Sequence, residues 1–150
     1  MMKKPHWLLI CLPCAALLGL ATTSFSQSDA PYLEGPVWEI SMVKAKYGLE
    51  DDYFKNIRAT LKPPLDEAKK QKVILDYKIL FGEAANAQDY NVMLLVEFKN
   101  MAAFDDLRDK LDPIFAKAAG SAEQQTQIQV KRLDVREVMG EKVMREIILK

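Results

Sequence analysis

From residue 37 the chain alternates, with Trp38, Ile40 and Met42 on one side and Glu39, Ser41 and Val43 on the other. A period of two with one strongly apolar side predicts a strand over 37–44. After Gly48 the period lengthens: Tyr53, Phe54, Ile57, Leu61, Leu65 and Ala68 recur at three- and four-residue intervals. Glu50, Asp51 and Asp52 at the start and Lys69, Lys70 and Lys72 at the end suit the dipole of one long amphipathic helix. Pro63-Pro64 in its middle removes backbone donors, which predicts a kink or two abutting helices.

Alternation returns over 73–81, where Leu75, Tyr77, Ile79 and Phe81 oppose Asp76, Lys78 and Leu80, while 90–98 is apolar on both sides, as a central covered strand would be. The polar loop over 82–89 is too short for a crossover helix, so these two strands should form a hairpin. Asn100 is placed to cap a helix carrying Phe104, Leu107, Leu111, Ile114 and Phe115, interrupted by Pro113 and ending at Gly120. Ser121-Ala122-Glu123-Gln124 fits a capping box and Gly140 a stop, so a further helix is expected over 121–139. A strand over 127–131 competes with it, because Ile128 and Val130 alternate. Residues 143–149 read as the last strand. Strand, helix, strand, strand, helix, strand is the split βαβ order, an α+β, ferredoxin-like βαββαβ fold with an antiparallel sheet and an extra helix before the final strand.

The first residues follow a different logic. Lys3 and Lys4 precede an apolar run from Trp7 to Ala21 and then small residues up to Gln27, the order of a secretory signal. The run falls short of the roughly 20 residues of a membrane-spanning helix. Cleavage after Ser26 is expected, making 1–26 a signal peptide, 27–36 a flexible lead-in with Pro31, Gly35 and Pro36, and 37–150 the domain. Cys14 raises the alternative of a lipid anchor, but Pro13 stands where a small residue normally precedes an acylated cysteine. The protein is thus expected to be exported, periplasmic or extracellular, without stable membrane insertion.

Cleavage changes the chemistry available. Cys11, Cys14 and the only histidine, His6, all leave with the signal. About 124 residues remain (150 minus 26), with 19 basic side chains (21 less Lys3 and Lys4) against 21 acidic. Such a chain must rely on a packed core rather than on disulfides, and its balance of charge predicts no nucleic-acid partner. A haem on a proximal histidine, imidazole or thiolate metal sites, and Ser-His or Cys-His nucleophiles are excluded for that form. No phosphate-binding glycine loop is present, and no cofactor is expected.

Trp38-Glu39-Ile40, the helix ending Asp66-Glu67-Ala68-Lys69-Lys70-Gln71, the strand Leu75-Asp76-Tyr77-Lys78-Ile79-Leu80 and the ending Arg145-Glu146-Ile147-Ile148-Leu149-Lys150 resemble secreted, uncharacterised members of the dimeric α/β-barrel superfamily over residues 37–150. The resemblance implies a homodimer with two sheets face to face, and ligands held between sheet and helices or inside the barrel. Members include haem enzymes, cofactor-free monooxygenases, isomerases and proteins without known activity.

If the alternation holds, Glu39, Ser41, Asp76, Lys78, Asn91 and Glu97 should gather on the sheet face opposite Trp38, Ile40 and Met42, joined by Arg145 or Glu146 from the last strand. They would form the polar floor of a ligand pocket, with Glu39 or Glu97 shifted in pKa by burial. The alternative is a set of cross-strand ion pairs at a dimer interface or in solvent. The aromatic residues at helical spacing are expected in the core, and Asp51-Asp52 and Asp105-Asp106 lack calcium-loop spacing. A small-molecule-binding or interaction module, with a small apolar ligand, is the expected function. A cofactor-independent monooxygenase- or isomerase-like enzyme acting on an apolar or aromatic substrate is the alternative.

Overall fold

Long-range pairing, more than local pattern, decides where the strands begin. A computed structural model describes residues 30–150, so the expected signal segment lies outside the described residues. β1 (Tyr32–Ala45) starts inside the segment read as a lead-in, because Tyr32, Leu33 and Glu34 pair with Leu149, Ile148 and Ile147 of β4 (Arg136–Leu149). Gly35 and Pro36 are accommodated by a bulge opposite Glu146. A Cβ on Gly35 would stand 3.1 Å from the carbonyl oxygen of Glu146, so the close approach needs glycine there.

The expected long helix is two helices, α1 (Glu50–Thr60) and α2 (Lys62–Lys70), meeting at Leu61. Pro63 and Pro64 fall in the first turn of α2, where backbone N–H groups have no helical partner to lose. β2 (Asp76–Phe81) and β3 (Val92–Phe98) form the expected hairpin. The Asn100 side chain caps a short 3-10 turn (Met101–Phe104) by accepting from the Ala103 N–H. Asp106, in left-handed conformation, separates that turn from α3 (Leu107–Ala119), which runs through Pro113 instead of being interrupted by it.

Helix α4 (Ala122–Arg132) starts with the capping box of Ser121 and Gln124 and extends through 127–131, which settles the competing strand assignment in favour of helix. It ends seven residues before the expected limit. β4 begins at Arg136, and Gly140, expected as the helix stop, lies within that strand beside a bulge at Met139.

The sheet order is β2-β3-β1-β4 with every neighbouring pair antiparallel, so the chain has the ferredoxin-like fold, with α4 as the extra helix. The four-stranded sheet is open and does not close on itself as a barrel. Helices cover one face. Val43, Ala45 and Val92 pack there against Tyr53 and Ile57 of α1, and Phe98 packs against Leu65, Ala68, Ile74 and Ile114. Fully burying side chains of this size contributes roughly 1.5–3 kcal/mol each.

Candidate functional site

Strand register places every sheet residue on one face or the other. Three cross-strand rows belong to the helix-covered face: Tyr77, Val96, Glu39 and Val143; Ile79, Leu94, Ser41 and Glu141; Phe81, Val92, Val43 and Val138. Three belong to the open face: Asp76, Glu97, Trp38 and Met144; Lys78, Leu95, Ile40 and Lys142; Leu80, Met93, Met42 and Gly140.

The six expected site residues are therefore not brought together. Glu39 and Ser41 do lie opposite Trp38, Ile40 and Met42, but on the face the helices cover. Asp76, Lys78 and Glu97 share the open face with Trp38, whose ring lies 4.9 Å from the Lys78 ammonium. Asn91 does neither job: its side chain bonds both the N–H and the carbonyl of Ala45, tying the end of β3 to β1. Arg145 pairs with Glu34 on the helix-side rows, and Glu146 accepts from the Trp38 indole N–H at 3.0 Å on the open side. The physical reason is that the strongest apolar alternation, Trp38-Ile40-Met42, marks the open face. Smaller β-branched and aromatic residues (Val43, Val92, Phe98) meet the helices.

Beneath α1 and α4 the helix-covered face holds a cavity of about 180 Å³. Ser41 and Glu141 lie on its floor, Val43, Val138, Leu94, Ile57 and Leu61 supply apolar wall, and Tyr53, Gln129, Arg132 and Arg136 gather at the α4 side. Arg132, the last residue of α4, is only 5% exposed. Its guanidinium donates to Asn56 Oδ1 at 2.9 Å, to Thr60 Oγ1 on α1 and to Gln129 Oε1. All three acceptors are neutral. Burial first, and repulsion from Arg136 second, draw its pKa below the ordinary value.

Arg136 donates through Nη2 to Gln129 Oε1 at 2.9 Å, while its Nε is buried with no hydrogen-bond partner. Burial pushes the Tyr53 phenol up, and the two guanidiniums beside it pull the other way. On the sheet one row beyond Ser41 and Glu141, desolvation and the neighbouring Glu141 carboxylate raise the Glu39 pKa above 4.5. The cavity is thus basic at the α4 end and acidic two rows along the sheet.

Sequence reasoning missed Arg132 and Arg136. One signal was available: Arg132 falls four and seven residues after Ile128 and Gln125, on the side of α4 that turns toward Asn56 and Thr60. A second groove of about 220 Å³ lies on the other flank of α1, between α1, α2 and β2, with Phe54, Leu65 and Ile79 in its wall. The Tyr77 hydroxyl at its side is already engaged by Asp66 at 2.6 Å. Among the described residues no group of three or more His, Cys, Asp or Glu could hold a metal ion, and no helix is long and apolar enough to cross a membrane.

No family model matches the chain, and no curated protein matches it. Among solved structures, it is similar to HapK from Hahella chejuensis, with 11% identity, 73% of this chain and 91% of that one covered, and a TM-score of 0.44. It is also similar to a dimeric ferredoxin-like protein from an uncultured marine organism (9% identity, 79% and 90% covered, TM-score 0.45). A dimeric protein of unknown function with a ferredoxin-like fold from Bacteroides fragilis follows (12% identity, 79% and 100% covered, TM-score 0.39).

Proposed function

We propose that the chain is an exported, homodimeric small-molecule-binding module, in which each copy holds a small, largely apolar ligand between its sheet and helices. The observation that carries the binding role is the cavity under α1 and α4, whose lining sets apolar side chains of the sheet and α1 against convergent polar groups from α4 and β4. Export rests on the basic-apolar-small order of residues 1–26.

Dimerisation rests on the open face. Trp38, Ile40, Met42, Met93, Leu95 and Met144 form one apolar field across β3, β1 and β4, with Leu80 extending it onto β2. Met144 and Leu80 are 53% and 52% exposed. Lys78, Lys142, Asp76 and Glu97 lie in the same rows, so the face has an apolar body flanked by charges of both signs. Such a composition suits burial against a second, identical sheet.

Native mass spectrometry of protein recovered from the extracytoplasmic fraction tests the whole reading. The expected spectrum is a dimer lacking residues 1–26 and carrying one small adduct per copy. A bare monomer with an intact N-terminus would refute it.

Glu39 favours one second reading, a cofactor-independent enzyme. A carboxylate whose proton affinity is raised by burial and by the neighbouring Glu141, beside a small cavity, is a group suited to proton transfer. Under that reading Glu39→Gln abolishes turnover of the bound molecule while leaving its binding intact.

A further inference from the structure

We infer that the molecule taken up by this cavity is a small monocarboxylic acid with an apolar body, its carboxylate held by Arg132, Arg136 and the Tyr53 hydroxyl. The inference rests on the cavity being a binding site and goes further by naming the chemical class and its orientation.

Two guanidiniums share one neutral amide oxygen, that of Gln129, at the α4 side of the cavity. None of the ion pairs among the described residues includes either arginine. Buried positive charge is costly unless paired. Arg132 has partial relief, since it sits at the negative end of α4 and donates to three side chains. Arg136 has less: it starts β4 and keeps a buried Nε–H without an acceptor. An oxyanion against the cavity-facing atoms of these side chains would relieve the repulsion between the two cations and meet the Tyr53 hydroxyl.

The rest of the cavity narrows the class. One row from Arg136 the floor is Val43 and Val138, with Ile57 and Leu94 around them, a lining for hydrocarbon. The row beyond carries Ser41 and Glu141, with Glu39 one row further. A second anionic group on the ligand would be driven against those carboxylates, which disfavours dicarboxylates and phosphate esters. At about 180 Å³ the space is below the usual range for drug-sized ligands, and fits a compact acid.

The test uses the purified protein and three probes: benzoate, its neutral isostere benzamide, and inorganic phosphate, each titrated by calorimetry to about 10 mM. Benzoate should bind, and benzamide and phosphate should bind at least about tenfold more weakly, the loss expected for one charge-assisted hydrogen bond. Arg136→Gln should weaken benzoate by a similar factor. Tyr53→Phe, which keeps the buried ring, supplies a second variant should Arg136→Gln fail to fold. In nitrogen-15 spectra the Arg136 guanidinium signals should shift with benzoate and stay in place with benzamide. Equal binding of benzamide, or benzoate affinity unchanged in both variants, overturns the carboxylate assignment and leaves the cavity reading standing. Phosphate binding as tightly as benzoate overturns the monocarboxylate class in favour of any small oxyanion. No uptake of any probe, with no adduct in the native spectrum, overturns both.

Discussion

Met144→Glu is the sharpest probe of the open sheet face. Met144 stands opposite Trp38 on β4 and is 53% exposed, so about half of its burial is still available to a partner. Full burial of such a side chain is worth about 1.5–3 kcal/mol, leaving roughly 1 kcal/mol per copy. A two-fold interface presents the residue twice, which gives roughly 2 kcal/mol per dimer. Desolvating a carboxylate in its place adds at least about 1 kcal/mol more. The dimer dissociation constant should therefore rise by about two orders of magnitude, at 1.4 kcal/mol for each factor of ten. Because the site is half exposed in the single chain, the stability of the monomer should change by less than about 1 kcal/mol. Sedimentation velocity across a concentration series reads the association, and a thermal melt checks the fold. Val130→Glu is the control: it replaces a side chain that is 60% exposed on α4, away from the sheet face, and should leave association unchanged. A wild-type protein that sediments as a monomer at about 10 µM, or a Met144→Glu dimer as tight as the original, would refute the reasoning.

Three further outcomes follow from the fold and the helix-covered sheet face. Phe98→Ala, at a side chain 1% exposed and 4.5 Å from the Phe104 ring centroid, should cost about 3–5 kcal/mol in urea unfolding, because α2 and α3 both pack on it. Gly120→Ala should cost more than about 1 kcal/mol by the same assay: φ is +86° there, and a Cβ would displace the Gln124 side chain that closes the cap of α4. Glu39 has a folded pKa above its unfolded value of 4.5, so the native state holds the proton more tightly. Stability from this group is greatest below that unfolded value and is lost as pH rises through the folded one. Glu39→Gln removes that loss, and its stability relative to the parent should improve between pH 4 and pH 7; an unchanged difference would count against the burial of Glu39.

Local chemistry made most elements readable. The Pro63-Pro64 break, the Ser121-Gln124 cap and the hairpin across 82–89 each depend on residues within a few positions of one another, and each stands in the structure as expected. The ends of β1 and β4 do not. Gly35 and Pro36 look like a loop until Glu146 is set opposite them, and 133–139 looks helical until Arg136 is paired with Ala45. The site suffered for a related reason. Alternation correctly divides β1 into two faces, but both are apolar enough to be core, and only helix packing says which one is covered. Placing the polar positions of β1, β2 and β3 together opposite Trp38-Ile40-Met42 mixed Glu39 and Ser41 with Asp76, Lys78 and Glu97, which point the other way. Arg132 and Arg136 come from a helix end and a strand start, and no periodicity links two such positions.

The outer pairing of β1 with β4 has a consequence in time. Beyond the end of β3 these two strands continue as a two-stranded arm, closed by the Lys150 N–H on the Pro31 carbonyl. Glu34 and Arg145, which pair across it, stand 111 positions apart. Loops of that size are slow to close, and topologies dominated by such contacts fold slowly. While a ribosome is still making the chain, β1 can find β3 but has no partner for its other edge. Folding should therefore lag synthesis, leaving a window in which the nascent chain stays open to whatever handles unfolded polypeptide. Pulse-labelled hydrogen exchange would detect it as amides of β1 that gain protection only together with those of β4.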